Sequence, residues 1–140
     1  MSTIFLLLAA CVHLGTVPVG EGWNVVAAHA PVVEPDVDEA VRGAVVQALA
    51  ARRAAGPAPL HLWVERADWR PGRRTGDTVI YDATLVVRFV AGARERTVTA
   101  SRPVPDPGTA GAAVEVRAAA FAALARQAAD EGVAWLVLGG

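Results

Sequence analysis

The sequence contains no lysine and a single cysteine, and both shortages limit what the chain can be. Its 13 basic residues are all arginine, against 14 acidic residues, a usage typical of a GC-rich genome. This near balance predicts no nucleic acid partner, because a nucleic-acid surface needs a cationic excess. One cysteine excludes an intramolecular disulfide and a zinc site built on paired cysteines.

Motifs of the common catalytic classes are also missing. We find no Gly-x-Ser-x-Gly elbow, no phosphate-binding Gly-Lys-Ser/Thr loop and no Gly-x-Gly-x-x-Gly run. The histidines do not form a His-x-His or His-x3-His pair, and the acids near residue 77 read as solvated carboxylates rather than as a catalytic pair. We therefore predict no catalytic residue, no metal and no cofactor. The histidines considered are His13, His29 and His61, and the acids are Asp68, Asp77 and Asp82.

Long apolar runs are scarce, and the one near the start spans only residues 4–12. A helix needs about 20 apolar residues to cross a bilayer, so this run predicts a secretory core segment rather than a membrane span. It ends in Leu8-Ala9-Ala10-Cys11, which resembles the lipobox of bacterial lipoproteins. The resemblance implies a cysteine that is acylated, with chains such as palmitate, and becomes the mature N-terminus.

A second interpretation of the same run stays open. Residues 3–12 could form a buried strand or helix, with Cys11 as a small core residue, since free cysteine is commonly buried. Under the lipoprotein interpretation, residues 1–10 are a signal-like segment and residues 11–22, rich in glycine and proline, are a tether. Residues 23–140 are then a single domain. The residue after the cysteine is Val12, and in this position the chain resembles lipoproteins that are sorted to the outer membrane.

The stretch from Thr78 to Phe89 alternates between apolar and polar residues and predicts a central, half-buried strand. Its apolar face includes Tyr81, Leu85 and Phe89, while Ile80 and Val86 are apolar exceptions on the other face. Together with Trp63, these exceptions hint at an exposed partner surface.

The remaining segments predict the order β-α-β-β-β-α, with a final strand or apolar tail over Val133–Leu138. A capping box at Asp36 and Glu39 begins the first helix, and Gly132 ends the second. Strands are predicted from Trp23 to Val33, around Leu62 and from Arg94 to Val104. This order predicts an α+β two-layer sandwich, a mainly antiparallel sheet with both helices on one face. The order resembles that of small lipoproteins of the lipopolysaccharide-assembly type.

The strongest candidate binding residues fall in residues 66–77, which we predict to be a polar loop. Guanidinium groups suit phosphate and indole rings suit interfaces, so the loop could contact an anionic lipid or a protein partner. An ordinary solvated loop is the alternative. The candidates are Arg66, Trp69, Arg70, Arg73 and Arg74.

These observations predict a non-enzymatic binding or assembly component of the cell envelope. Its membrane contact is a lipid anchor at Cys11, on the periplasmic face of the outer membrane, and its partner is an envelope protein or anionic lipid. The competing prediction is a soluble small binding domain, or a small enzyme, without a lipid anchor.

Overall fold

The structure, a computed structural model, describes residues 22–30, 34 and 36–139. Residues 1–21, and with them Cys11, lie outside this part of the chain, as do residues 31–33 of the first predicted strand. The elements follow the order β-α-β-β-β-α, which confirms the predicted α+β class. Their bounds are β1 (Trp23–His29), α1 (Val37–Ala51), β2 (Ala58–Thr75), β3 (Thr78–Ala91), β4 (Arg94–Pro105) and α2 (Ala110–Leu138).

The four strands form one mixed sheet in the order β1-β2-β3-β4. β1 is parallel to β2, because α1 provides the crossover between them, and the other two pairings are antiparallel. Both helices pack on the same face of this sheet. Leu85, Val87 and Phe89 of β3 lie fully buried beneath them, so the predicted central strand is central in the structure too.

The second helix is longer than the sequence predicts, because Gly132 lies inside it rather than at its end. A side chain at Gly132 would overlap the ring of Phe89, so glycine here permits close contact between helix and sheet. Of the two alternatives predicted for Val133–Leu138, a final strand or an apolar tail, the strand is wrong, since these residues are the last turns of α2. Gly139 ends the helix in the left-handed conformation, at φ 67°.

The segment predicted as a polar loop is strand, and a β-bulge explains why its pattern is misleading. Val64 pairs with Val87 and Arg66 pairs with Val86, so Glu65 is an extra residue in β2. The bulge shifts the alternation by one residue, and Ala67 therefore continues the buried face. From there β2 and β3 form a hairpin that turns at Gly76 and Asp77.

The two helices begin differently. The predicted capping box is wrong, because Asp36 has left-handed backbone angles, φ 61° and ψ 10°, and its side chain does not cap α1. Thr109 does cap α2, since its hydroxyl accepts a hydrogen bond from the backbone N–H of Ala112 at 3.4 Å. Asp38 and Glu39 occupy the first turn of α1, where negative charge is favourable.

The described domain has two distinct ends. At the end that we call proximal, Gly22 enters β1 beside Ala54, where the backbone N–H of Trp23 donates to the carbonyl of Ala54 at 2.8 Å. The C-termini of both helices and the β3–β4 turn lie at this end. The opposite, distal end carries the tip of the β2–β3 hairpin, the end of β4 and the N-termini of both helices. This geometry separates the entry of the chain from the surfaces described next.

Candidate binding surfaces

The bulge at Glu65 divides the predicted binding residues between the two faces of the sheet. Arg66 and Arg70 point to the open face, opposite Val86 and Asp82 of β3 in the ladder. Trp69 points to the other face and is half-buried against the helices. These five residues therefore do not form one surface, and their binding role stays a prediction.

On the open face, Asp68 connects the two arginines. Arg66 donates from Nε to Oδ2 of Asp68 at 2.9 Å, and Nη2 of Arg70 lies 3.6 Å from the same oxygen. The hydrogen bond from Arg66 lowers the pKa of the Asp68 carboxyl below its ordinary value, and the positive charges of Arg66 and Arg70 lower it further. Arg66 is thus partly neutralised, while Arg70 remains 73% exposed.

Arg73 and Arg74 lie at the distal tip of the hairpin and are exposed. A second irregularity in the β2–β3 pairing falls between Pro71 and Arg74, so Arg73 has no opposite residue in the ladder. Together with Arg70 these residues form a small cationic tip, and Asp68, Asp77 and Asp82 lie beside it. Because the tip is fully solvated, its charges interact weakly with one another.

An apolar cleft, which the sequence does not reveal, lies at the distal end on the helix side of the sheet. We call it the distal cleft. It consists of two hollows of about 600 Å³ and about 460 Å³ that share Val114 and Arg117 of α2. The larger hollow lies between α1 and α2 and is lined by Val37, Ala40 and Phe121 among others. The smaller lies between α2 and the hairpin.

An ion pair separates the two hollows. Arg117 donates from Nε to Oε2 of Glu34 at 3.1 Å, and its Nη2 donates to Oε1 of the same carboxylate. The side chain of Glu34 is only 6% exposed, whereas that of Arg117 is 41% exposed. Arg117 also lies over the ring of Trp69, 5.4 Å from its centroid. The guanidinium is therefore held from two sides.

Trp69 and Tyr81 form the aromatic wall of the smaller hollow. Their rings stack with centroids 5.1 Å apart, and the ring of Phe121 lies 6.3 Å from that of Trp69. Asp106 and Thr109 also line this hollow. Tyr81, predicted to lie on the buried face, is thus half-buried at the margin of the core rather than inside it.

A third cluster lies on the open face of the sheet, nearer the proximal end. The ring of His29 stacks on that of Trp63 at 4.1 Å, and the guanidinium of Arg88 lies 5.5 Å from the Trp63 centroid. Arg88 donates to Glu65 at 2.7 Å, a hydrogen bond that raises the pKa of Arg88. Trp63 is 39% exposed, but Ile80 is only 8% exposed, so the predicted apolar patch does not include Ile80.

Sequence reasoning missed Glu34, Arg117 and Val114, which define the distal cleft. The positions of Glu34 and Arg117 along the chain give no signal, because these two residues are 83 apart and meet only through the packing of α2. The one available signal was Val114, an apolar residue near the start of a predicted helix. A helix stripe is normally core, and this interpretation favoured burial.

Within residues 22–30, 34 and 36–139, no group of three or more His, Cys, Asp or Glu side chains is placed to hold a metal ion. No helix of these residues combines the length and apolarity needed to cross a membrane. What the described surfaces provide is apolar contact area, stacked aromatic rings and paired charges, which are the elements of recognition.

The comparisons with known proteins find the fold but no sequence relative. No protein-family model matches the chain, and no curated protein matches it in sequence. It is similar in fold to a protein from Caulobacter crescentus that is provisionally described as a lipoprotein, with 17% identity, TM-score 0.58, and 84% of this chain and 92% of that one covered.

Two further solved structures have the same fold. A minor lipoprotein from Acinetobacter baumannii is 13% identical, with TM-score 0.54, and 86% of this chain and 95% of that one are covered. A Xanthomonas campestris protein of the DUF330 family is 17% identical, with TM-score 0.53 and coverage of 88% and 90%. At these identities the likeness shows a shared fold, and none of the three is described as an enzyme.

Proposed function

We propose that this chain is a bacterial envelope lipoprotein and acts, without catalysis, as a binding component of the envelope. The observation that carries the proposal is the lipobox-like Leu8-Ala9-Ala10-Cys11 ahead of a domain whose fold is shared with proteins described as lipoproteins. Acylated Cys11 holds the domain on the periplasmic face of the outer membrane. One acyl chain gives only marginal membrane binding, so a durable anchor needs more than one.

The layout of the domain favours a protein partner over the lipids of the anchoring membrane. Residues 12–21 reach at most about 35 Å when fully extended, and they lead to Gly22 at the proximal end. β2 starts beside β1 at this end and continues for 18 residues toward the distal end, up to about 60 Å away. The distal cleft and the arginine-bearing hairpin tip are therefore the parts of the domain most remote from the anchor.

Metabolic labelling tests the anchor. The chain is expressed in a Gram-negative host with a clickable fatty acid, beside the variants Cys11→Ser and Cys11→Ser/His13→Cys. The double variant restores a thiol two residues later, after Val12 rather than after a small residue, and serves as the matched control. We expect label only in the wild-type chain. An unlabelled wild-type chain, or equal label in Cys11→Ser, would contradict the anchor.

A second experiment tests the arginines of the hairpin. Arg70, Arg73 and Arg74 are changed together to Ser, and the control changes Arg52, Arg53 and Arg126, three exposed arginines away from the hairpin, in the same way. If the hairpin contacts anionic lipid, the first variant binds phosphatidylglycerol vesicles more weakly than the wild-type chain does, whereas the control variant binds them as the wild-type chain does. Neither variant is expected to bind phosphatidylcholine vesicles. Equal binding by all three proteins leaves the hairpin as ordinary surface.

A further inference from the structure

We infer that the distal cleft binds an apolar peptide segment that carries arginine or lysine, contributed by a protein partner. The inference rests on the proposed binding role but not on the lipid anchor. In this arrangement an apolar side chain of the peptide occupies the larger hollow, and a cationic side chain occupies the smaller one.

The larger hollow supplies the apolar contact. Val114 lines it and is 71% exposed, although it stands on a helix whose C-terminal half is deeply buried. Residues 110–119 of α2 include no buried residue. Val37 of α1 and Phe121 of α2 continue the apolar wall inward. Exposed apolar surface inside a cleft, rather than on a convex face, is typical of a site that receives a side chain.

The charges around the cleft select a cation. Among the described residues that line the cleft, the charged ones are Glu34, Asp36 and Asp106 against Arg117, and their charges sum to −2. The N-termini of α1 and α2 each contribute about +0.5 of partial charge, which leaves an excess near −1. Arg117 is already committed to Glu34 and to the face of Trp69. A lipid phosphate or carboxylate therefore meets net repulsion, whereas an arginine or lysine meets attraction.

The smaller hollow has the groups that hold such a cation. Asp106, Trp69 and Tyr81 all line this hollow, and the rings of Trp69 and Tyr81 stack on each other. Because Trp69 already contacts both Arg117 and Tyr81, the aromatic ring that remains for an added cation is that of Tyr81. A cation over an aromatic face, with a carboxylate nearby, gains from both interactions. Two adjoining hollows of different chemistry match two neighbouring side chains of a peptide better than they match a uniform acyl chain.

The probes are two synthetic 12-residue peptides, one alternating leucine and arginine and the other alternating leucine and glutamate. Each is titrated into the ¹⁵N-labelled Cys11→Ser protein, with the rest of the chain unchanged, so that lipidation does not enter the result. We expect the leucine–arginine peptide to shift the Trp69 indole N–H and the amides around Val114. It should bind at least tenfold tighter than the leucine–glutamate peptide, and more weakly as salt is raised.

Paired variants locate the site. Val114→Arg places bulk and positive charge in the cleft and should weaken binding at least tenfold. Its control is Val46→Arg, at a 49% exposed valine of α1 that does not line the cleft, and should leave binding unchanged. Asp106→Asn keeps the side-chain acceptor for the Gly108 N–H but removes the charge, and should weaken binding about threefold. Asp130→Asn is its control.

Several results would overturn the inference. Equal binding of both peptides, tighter binding of the leucine–glutamate peptide, or insensitivity to Val114→Arg would each exclude this site. A dimer in light scattering that Val114→Arg dissociates would assign the cleft to a second copy of the chain. Vesicle binding that is lost in Val114→Arg would assign it to lipid. If fatty-acid labelling fails but peptide binding is retained, the lipid anchor is contradicted and the binding site in the cleft is still supported.

Discussion

The two halves of α2 differ in what they contact, although both are rich in alanine. The C-terminal half packs on the sheet so closely that Gly132 has no room for a side chain beside Phe89. In the N-terminal half, the first ten residues, 110–119, include no buried residue and form one wall of the distal cleft. Gly111 in this half has open space around its α-carbon. The same composition thus serves packing at one end and an accessible surface at the other.

This difference indicates that the extent of the sheet beneath a helix decides whether a helical turn packs in the core or forms accessible surface. β1 ends opposite Trp63 and β4 ends opposite Ile80, so the sheet narrows toward the distal end from four strands to three and then to the two-stranded hairpin. Residues 110–119 of α2 lie at this narrower end and stay accessible. A two-stranded ribbon offers little apolar surface and is marginally stable alone. Stability should therefore depend strongly on the proximal half and weakly on the distal half.

The largest expected effect is a steric one in the proximal half. Gly132→Ala forces a methyl group into the Phe89 ring, and we expect it to lower the free energy of unfolding by about 1–3 kcal/mol. Gly111→Ala in the distal half should instead raise it by about 0.5 kcal/mol, since the added methyl meets nothing. Urea unfolding followed by circular dichroism measures both. Equal effects of the two substitutions would contradict the comparison.

An intermediate effect is expected in the distal half, at the ion pair of Glu34 and Arg117. Arg117→Met leaves a carboxylate that is only 6% exposed without its partner. Breaking a fully buried pair costs about 3–5 kcal/mol. Because Arg117 is 41% exposed and so partly screened, we expect a loss of about 1–2 kcal/mol. Arg126→Met on the exposed side of α2 is the control, and the same loss there would refute a specific role for the pair.

The smallest effect on stability belongs to the hairpin of the distal half. Arg66→Gln removes the main cause of the lowered Asp68 pKa, so that pKa should rise toward its ordinary value, as followed by ¹³C NMR. A carboxyl whose pKa is lower in the folded chain stabilises it above the unfolded pKa. This contribution is lost as the pH falls through the folded pKa. The variant should therefore lose less stability on acidification. An unchanged Asp68 pKa would contradict the assignment.

Much of the scaffold could be predicted from local patterns. The alternation over Thr78–Phe89 predicted the central strand, and helical periodicity predicted both helices and their common face. The errors fall where one residue was ambiguous. The pattern predicts Glu65 as an ordinary strand residue, but it is a bulge that shifts the alternation, and for this reason the segment after it does not show a strand pattern. Gly132 was taken for a helix end, since a pattern cannot distinguish a stop from a close contact.

The candidate site was less accessible to prediction. Of the five predicted binding residues, only Trp69 lies in the distal cleft, and the four arginines lie on the open face or the hairpin tip. The cleft depends on Glu34, Asp106 and Arg117, which come from three separate segments. No periodicity relates such residues, because their proximity results from how the elements pack.

The sequence by itself determined the order of the elements, the α+β class and the lipobox-like motif, because each of these depends on residues that are neighbours along the chain. Only the tertiary structure decided that Trp69 faces away from its neighbouring arginines, that Gly132 accommodates Phe89, and that Arg117 meets Glu34. The physical reason is that a one-residue bulge, a missing methyl group and an ion pair across 83 residues act through packing in three dimensions.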